Sequence, residues 1–179
     1  MDFEPACRYE SARHDVTAFD CGSQAQTRWL RESARMAQAA RTATVYVVTP
    51  VGDGRVVGYH AVAASSCTQD DAPVRLRKGA GQGPIPVILL ARLGVDRSAQ
   101  GQGLGAALVK DALLRAREAA SVIGARALLI HAESPEAKRF YLHLAEFEDS
   151  PTDPLHLVLL MKDIERITGQ AGTSLRYRA

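Results

Sequence analysis

The chain has little of what would mark many protein classes. Its three cysteines, Cys7, Cys21 and Cys67, are odd in number and spaced for neither a disulfide framework nor a metal knuckle. Reduced thiols in a cytoplasmic setting are therefore expected, with no metal. Aromatic residues make up only 6% of the 179 residues, with a single tryptophan, Trp29. No apolar run approaches the length of a membrane span, so no membrane partner is expected. The opening Met1-Asp2-Phe3-Glu4-Pro5 is acidic and lacks the apolar stretch of a secretory signal. A net charge of only +2 excludes a nucleic-acid-binding polycation as a whole. What remains, 46% hydrophobic and 23% charged, is an ordinary globular profile long enough for one full core.

The basic groups are mostly arginine, which favours bidentate contacts to phosphate and carboxylate. Arg28, Arg31, Arg35 and Arg41 lie on or just after one helical stretch, Arg75, Arg77 and Lys78 share a polar connection, and Arg176 and Arg178 end the chain. Solvated surface charge accounts for most such groups.

The stretch Gln100-Gly101-Gln102-Gly103-Leu104-Gly105-Ala106 follows the apolar run from Val87 to Val95 and opens a helical pattern. A strand feeding a glycine-rich turn at a helix start suits phosphate, because the glycines let backbone approach the ligand and the first-turn N–H groups point at it. Three readings compete. One is a tight connection with glycines for packing only. A second is a dinucleotide fold, since Gly101-x-Gly103-x-x-Ala106 meets that fingerprint and Glu133 ends the next strand; the motif stands too late in the chain for repeated βαβ units, and this reading fails. The third is a coenzyme A pyrophosphate loop, Gln/Arg-x-x-Gly-x-Gly/Ala, which Gln100, Gly103 and Gly105 fit.

Strands are predicted over residues 6–10, 42–48, 55–64, 85–95, 127–131 and 155–161, with a hairpin-type turn at Pro50-Val51-Gly52-Asp53-Gly54. Asp20 or Ser23 is the candidate cap of a helix running to about Ala40, on which Trp29, Leu30, Ala34, Met36 and Ala37 trace a buried stripe. Trp29 is expected in the core rather than on a stacking surface. A polar connection rich in Gly and Pro runs to Pro86, a length that is often functional. Gly94 removes a side chain where something approaches the backbone. Leu104, Leu108, Ala112, Ala116, Ala119 and Ile123 recur at helical spacing, and Gly124 stops that helix. Ser134-Pro135-Glu136-Ala137 is a capped helix start, leading to Phe140, Tyr141 and Leu144. His131 is expected in the core and Glu133 at a strand end. One domain over residues 1–167 and a mobile tail over 168–179 complete the organisation.

This order of elements, the 100–106 turn and Ser134-x-x-Ala137-x-x-Phe140-Tyr141 together resemble the GNAT acetyltransferases. Phe19-Asp20-Cys21-Gly22 before Trp29-Leu30, and Leu76-Arg77-Lys78-Gly79 before the strand from Ile85 to Leu93, resemble the GNAT toxins of type II toxin–antitoxin modules; the likeness covers about residues 4–162. It implies an α/β (α+β) fold with a mixed, largely antiparallel sheet flanked by helices and the coenzyme in the splay between the two central strands. It implies acetyl-CoA as co-substrate, the α-amine of aminoacyl-tRNA as acceptor, a ribbon-helix-helix antitoxin and a homodimer. Glu146-Phe147 departs from the family's usual Gly-Phe.

Acetyl transfer from a thioester needs a bound coenzyme, a free amine, oxyanion stabilisation and a proton for the thiolate. Backbone N–H groups from Gln102 through Gly103, Leu104 and Gly105 to Ala106 would hold the pyrophosphate, and Gln100 and Gly101 belong to the same cofactor-binding turn. Leu93 and Val95 would pair with the pantetheine arm, and the helix that Ser134 opens would border the thioester. Tyr141 would protonate the thiolate, although without the motif a core tyrosine is the simpler reading. No general base stands out. An α-amine, with a pKa of about 7.7–8.0 against about 10.4 for lysine, needs none. Arg75, Arg77 and Lys78, helped by Arg28 and Arg35, would hold tRNA. A small-molecule amine is the alternative acceptor, and a non-catalytic acyl-CoA sensor the alternative of another class.

Overall fold

A computed structural model describes residues 2–169. In chain order the elements are β1 (Cys7–Arg8), α1 (Gln24–Arg28), α2 (Ala34–Ala39), β2 (Thr44–Val48), β3 (Gly58–Cys67), α3 (Val74–Arg77) and β4 (Ile85–Val95). They continue with α4 (Leu104–Ile123), β5 (Ala127–His131), α5 (Pro135–Leu144), β6 (Glu148–Asp149), β7 (His156–Leu160) and α6 (Met161–Gly169). The strands hydrogen-bond in the order β1-β2-β3-β4-β5-β7-β6. The pairs β1–β2, β2–β3, β5–β7 and β6–β7 are antiparallel, so the seven-stranded sheet is mostly antiparallel, and with its helices the fold is of mixed α/β class, as expected. The chain forms two compact units that share β3, β4 and α4 as continuous elements: one up to Ala63 with Leu90–Ala112, the other Ala64–Leu89 with the chain from Leu113 on.

In the first unit Tyr9, Phe19, Leu30, Val45, Val47 and Tyr59 build one buried cluster, and Val48, Val57, Ala99, Leu104 and Leu108 a second. Each fully buried large side chain contributes about 1.5–3 kcal/mol by leaving water. Ser23 caps α1, its hydroxyl accepting from the Gln26 N–H at 3.2 Å; Asp20 instead accepts from the Gly22 N–H at 2.8 Å. Between α1 and α2 the helix widens over Trp29–Ser33, where the Ala34 N–H reaches five residues back to the Trp29 carbonyl. The simple 3.6-residue stripe expected here fails for that reason. Leu30 and Ala34 are buried, Trp29 is half-buried and Met36 is 67% exposed. Gly94 has a packing cause: a Cβ there would lie 2.8 Å from the Tyr59 ring and 3.3 Å from Cys21 Sγ. What approaches the backbone is protein.

In the second unit Leu76, Ile85, Val87, Ala127, Leu129, Val158 and Leu160 pack around Cys67 and Ala72. β5 and β7 pair in full register from Ala127 with Leu160 to His131 with His156. α4 crosses both units and ends where Gly124, at φ +73, cannot continue it. Its apolar stripe stops short of the end, since Ile123 is 64% exposed.

Several boundaries differ from expectation. β3 starts at Gly58 and runs on through Ser65 and Ser66 to Cys67, because a polar half-exposed strand end reads as loop. The polar connection contains the one-turn helix α3. β6 is two residues long, below what periodicity detects. α6 covers residues 168 and 169 of the expected tail, and the rest of that tail lies outside the described residues. His131 is exposed rather than in the core, stacked on His156 with ring centroids 3.8 Å apart.

Candidate active site

The turn at the head of α4 lies in the first unit and is held from both sides. Asp96, 7% exposed, directly follows β4 and accepts from the Asp20 N–H at 2.9 Å and from the Ser98 N–H and hydroxyl at 2.9 and 2.6 Å. Burial pushes its carboxyl up, but these hydrogen bonds and nearby Arg55 outweigh that and hold it below the usual range. The Gln100 side-chain amide donates to the Cys21 carbonyl at 3.0 Å and the Val95 carbonyl at 2.9 Å, and Gln102 donates to the Ser98 carbonyl at 3.1 Å. Gln100 and Gln102 therefore clamp the turn through their side chains. Arg97 adds an ion pair to Asp20 at 3.3 Å.

Gly101 at φ +74 and Gly103 at φ +80 adopt the left-handed region that disfavours a side chain. A Cβ at Gly101 meets nothing within 4 Å, so that glycine serves the turn's conformation and an open approach, not packing. The first bond of α4 runs from the Ala107 N–H to the Gly103 carbonyl at 3.2 Å. Helix geometry leaves the N–H groups of Leu104, Gly105 and Ala106 without a carbonyl four residues back, and with them the positive end of the helix dipole. This backbone fits a pyrophosphate. The Leu104 side chain is buried in the core, so only its backbone can serve a ligand, while Leu93 and Val95 on β4 pack partly against the same cluster.

The second unit carries α5. The Ser134 hydroxyl accepts from the Ala137 N–H at 3.1 Å, with Pro135 in the first turn, so Ser134 is committed to the cap. Tyr141 is 8% exposed, with Phe140 and Phe147 edge-on at 5.3 and 6.4 Å. Phe147 is buried, and Glu146 before it needs no positive φ; the departure from Gly-Phe leaves the ring's packing intact. Among the described residues no protein group hydrogen-bonds the Tyr141 hydroxyl. Burial first, then the Glu133 carboxylate, pushes its phenol up to about 12. It therefore keeps its proton through the neutral range and can deliver one to a base that forms beside it.

The basic residues divide. Arg75 donates to Glu148 and, at 2.9 Å, to Asp163, and these two acceptors raise its guanidinium further. Arg77 and Lys78 at the end of α3 are exposed and form no ion pair among the described residues, as are Arg28 and Arg35 in the first unit. Sequence reasoning missed Asp96, although Asp96-Arg97-Ser98 before a glycine turn carries the local signature of a carboxylate accepting from the N–H two residues on. It also missed the effect of Glu133 on Tyr141.

Each unit thus carries one feature of the kind a coenzyme A-dependent acyltransferase needs: a glycine turn that bares helix N–H groups in the first, and a buried, protonated tyrosine on a serine-capped helix in the second. Comparison with known proteins narrows that class. The acetyltransferase (GNAT) domain matches residues 41–144, and the chain belongs to the GNAT acetyltransferase family. A tRNA-acetylating toxin of Mycobacterium tuberculosis is 46% identical over 164 residues, covering 92% of this chain and 96% of that protein. The toxin AtaT complexed with acetyl-methionyl-tRNAfMet superposes with a TM-score of 0.84 at 26% identity, covering 93% of this chain and 99% of that one. A tyrosine-to-phenylalanine mutant of AtaT, bound to the C-terminus of the antitoxin AtaR and acetyl-CoA, gives a TM-score of 0.80 at 25% identity, covering 95% and 100%. Among the described residues no helix is long and apolar enough to cross a membrane.

Proposed function

We propose that this protein is an acetyl-CoA-dependent N-acetyltransferase toxin that acetylates the α-amine of aminoacyl-tRNA and so stops translation. The observation that carries the reading is the joint presence of the N–H-baring turn at Gly101–Gly103 and the protonated Tyr141, in a chain 46% identical to a tRNA-acetylating toxin. Acetyl-CoA supplies the acetyl group as an activated thioester. The N–H groups of Leu104, Gly105 and Ala106 hold its pyrophosphate, with Gln100 and Gln102 fixing the turn they belong to. Leu93 and Val95 offer β4 backbone to the pantetheine arm, and an N–H there polarises the thioester carbonyl. The acceptor amine attacks that carbonyl, and the bond to sulfur breaks. Tyr141 donates its phenolic proton to the departing thiolate. Ser134 acts indirectly, by holding the first turn of the helix that carries Tyr141. At neutral pH a useful fraction of an α-amine is already unprotonated, so the reaction runs without a dedicated base.

Arg77 and Lys78, with Arg28 and Arg35, supply cations for tRNA phosphates, while Arg75 contributes through its ion pairs to the fold. The same cations suit an acidic antitoxin segment, and we assign as partner a ribbon-helix-helix antitoxin whose tail covers the enzyme. A homodimer in the cytoplasm belongs to the same proposal and is tested by light scattering of the purified protein. The decisive assay is cell-free translation. Protein synthesis should fall only when both the protein and acetyl-CoA are present, and recover when the antitoxin is added. Inhibition without acetyl-CoA, or none with it, would reject the reading in favour of a small-molecule acceptor.

A further inference from the structure

The only tryptophan of the chain sits in the first unit at the start of the widened turn Trp29–Ser33, with an unusual set of neighbours. Its indole stacks on Tyr59, centroids 5.9 Å apart and planes 11° apart. Tyr59 is itself fully buried, edge-on to Phe19 at 5.5 Å, and its hydroxyl donates to the Gln26 carbonyl at 2.8 Å, which ties the preceding helical turn to β3. The Arg92 guanidinium carbon lies over the Trp29 ring, 5.6 Å from its centroid. Arg92 is partly exposed and makes no ion pair among the described residues. Half-buried Trp29 thus touches both a fully buried ring and a partly exposed cation of planar shape.

A guanidinium laid on an aromatic ring is partly desolvated on one side and presents a flat face on the other. Unpaired nucleobases at RNA ends stack on such faces, and the interaction tolerates any base. A widening of one turn in a helix is a local cost that often marks a functional site. Here the widened turn opens at Trp29, which lies against Arg92, and its next residue, Leu30, is buried in the core. Arg28 and Arg31, exposed on the same helical stretch, supply cations for the adjoining phosphates. Arg92 directly precedes Leu93 on β4, the strand proposed to present the thioester. In a charged tRNA the reacting amine hangs from the terminal ribose, so the one base that must come close is the terminal one.

We infer that the Trp29–Arg92 pair is a stacking platform for a nucleobase, the terminal adenine of the tRNA acceptor end. The inference rests on the tRNA reading above but adds a subsite to it. Adenine also occurs in the coenzyme, so the test separates the two sources. Because Trp29 is the sole indole, its fluorescence reports on the platform directly. Unfractionated deacylated tRNA with intact ends should quench it, the same tRNA stripped of its terminal adenosine should quench it far less, and acetyl-CoA alone should leave it unchanged. Equal quenching by both RNAs, or quenching by acetyl-CoA, would overturn the assignment.

Arg92→Lys keeps the charge and removes the plane. It should weaken tRNA binding about tenfold or more while the dependence of log affinity on log salt stays parallel to the wild type. Wild-type affinity in this variant would overturn the stacking role, and so would a slope lowered by about one unit, which would make Arg92 a phosphate contact. Acetylation of charged tRNA by the wild-type protein is measured separately. If it persists while the platform tests fail, the subsite alone is wrong.

Discussion

The turn at Gly101–Gly103 and the segment Arg75–Lys78 both look like anion sites, yet they are built in opposite ways. In the turn the binding groups are backbone N–H donors, the Asp96, Gln100 and Gln102 side chains are spent on holding the loop, and the space over Gly101 is empty. In the basic segment the groups are long side chains, and the first of them, Arg75, is already claimed by Glu148 and Asp163. A backbone site is fixed by conformation and cannot be diverted. A side-chain cation goes to whichever anion the fold brings nearest. A cluster of cationic side chains therefore marks a ligand site less surely than glycines at positive φ do.

The largest effect should come from Gly103→Asp, which strains the φ +80 position and places a carboxylate among the N–H groups. Calorimetry should find acetyl-CoA binding abolished while circular dichroism stays native; retained affinity would take the pyrophosphate away from this turn. Tyr141→Phe should come next, with turnover down by roughly 10²-fold or more and coenzyme affinity little changed. Equal turnover would mean that another group protonates the thiolate.

The same substitution has a signature in stability against pH. The folded protein holds Tyr141 neutral up to about 12, above the ordinary value of 10.0, so unfolding releases a proton once pH passes the lower value. The stabilisation is complete below pH about 10 and is lost as pH climbs toward 12, by roughly 2–3 kcal/mol at 1.36 kcal/mol per unit. Urea melts of the wild type should steepen their decline across that window, and Tyr141→Phe should remove this component. Parallel declines would show that the phenol ionises normally.

The basic segment gives a smaller and more discriminating pair. Arg77→Ala with Lys78→Ala should lower the salt slope of tRNA binding by about two units and leave the melting temperature unchanged. Arg75→Ala should do the reverse, lowering the melting temperature through unpaired Glu148 and Asp163 while the slope holds. If Arg75→Ala moves the slope as the others do, its ion pairs are opened by RNA, and the contrast between the two regions narrows.

These differences track what was legible in the sequence. The turn, the serine cap at Ser134, the stop at Gly124 and the strands β4 and β5 were readable, because each is written in local residue types with one conformational meaning. The fate of Arg75 was not, since its partners stand far along the chain on β6 and α6, and neither element was foreseen. Met36 was misplaced, and Trp29 packs against the core only half-buried, because a widened turn breaks the period on which burial is read. His131 was misplaced because it stands at the last position of β5, where the strand emerges. Gln100 was recognised as part of the motif, but its use as a clamp on Cys21 and Val95 carbonyls depends on tertiary approach.

The most direct test of the acetyl-transfer assignment is mass spectrometry of aminoacyl-adenosine released from charged tRNA after incubation with the protein and isotopically labelled acetyl-CoA. The expected result is one labelled acetyl group on the α-nitrogen, absent with Gly103→Asp and strongly reduced with Tyr141→Phe. Unmodified aminoacyl-adenosine with the fully active wild-type protein, or label found only on free small amines, would contradict it.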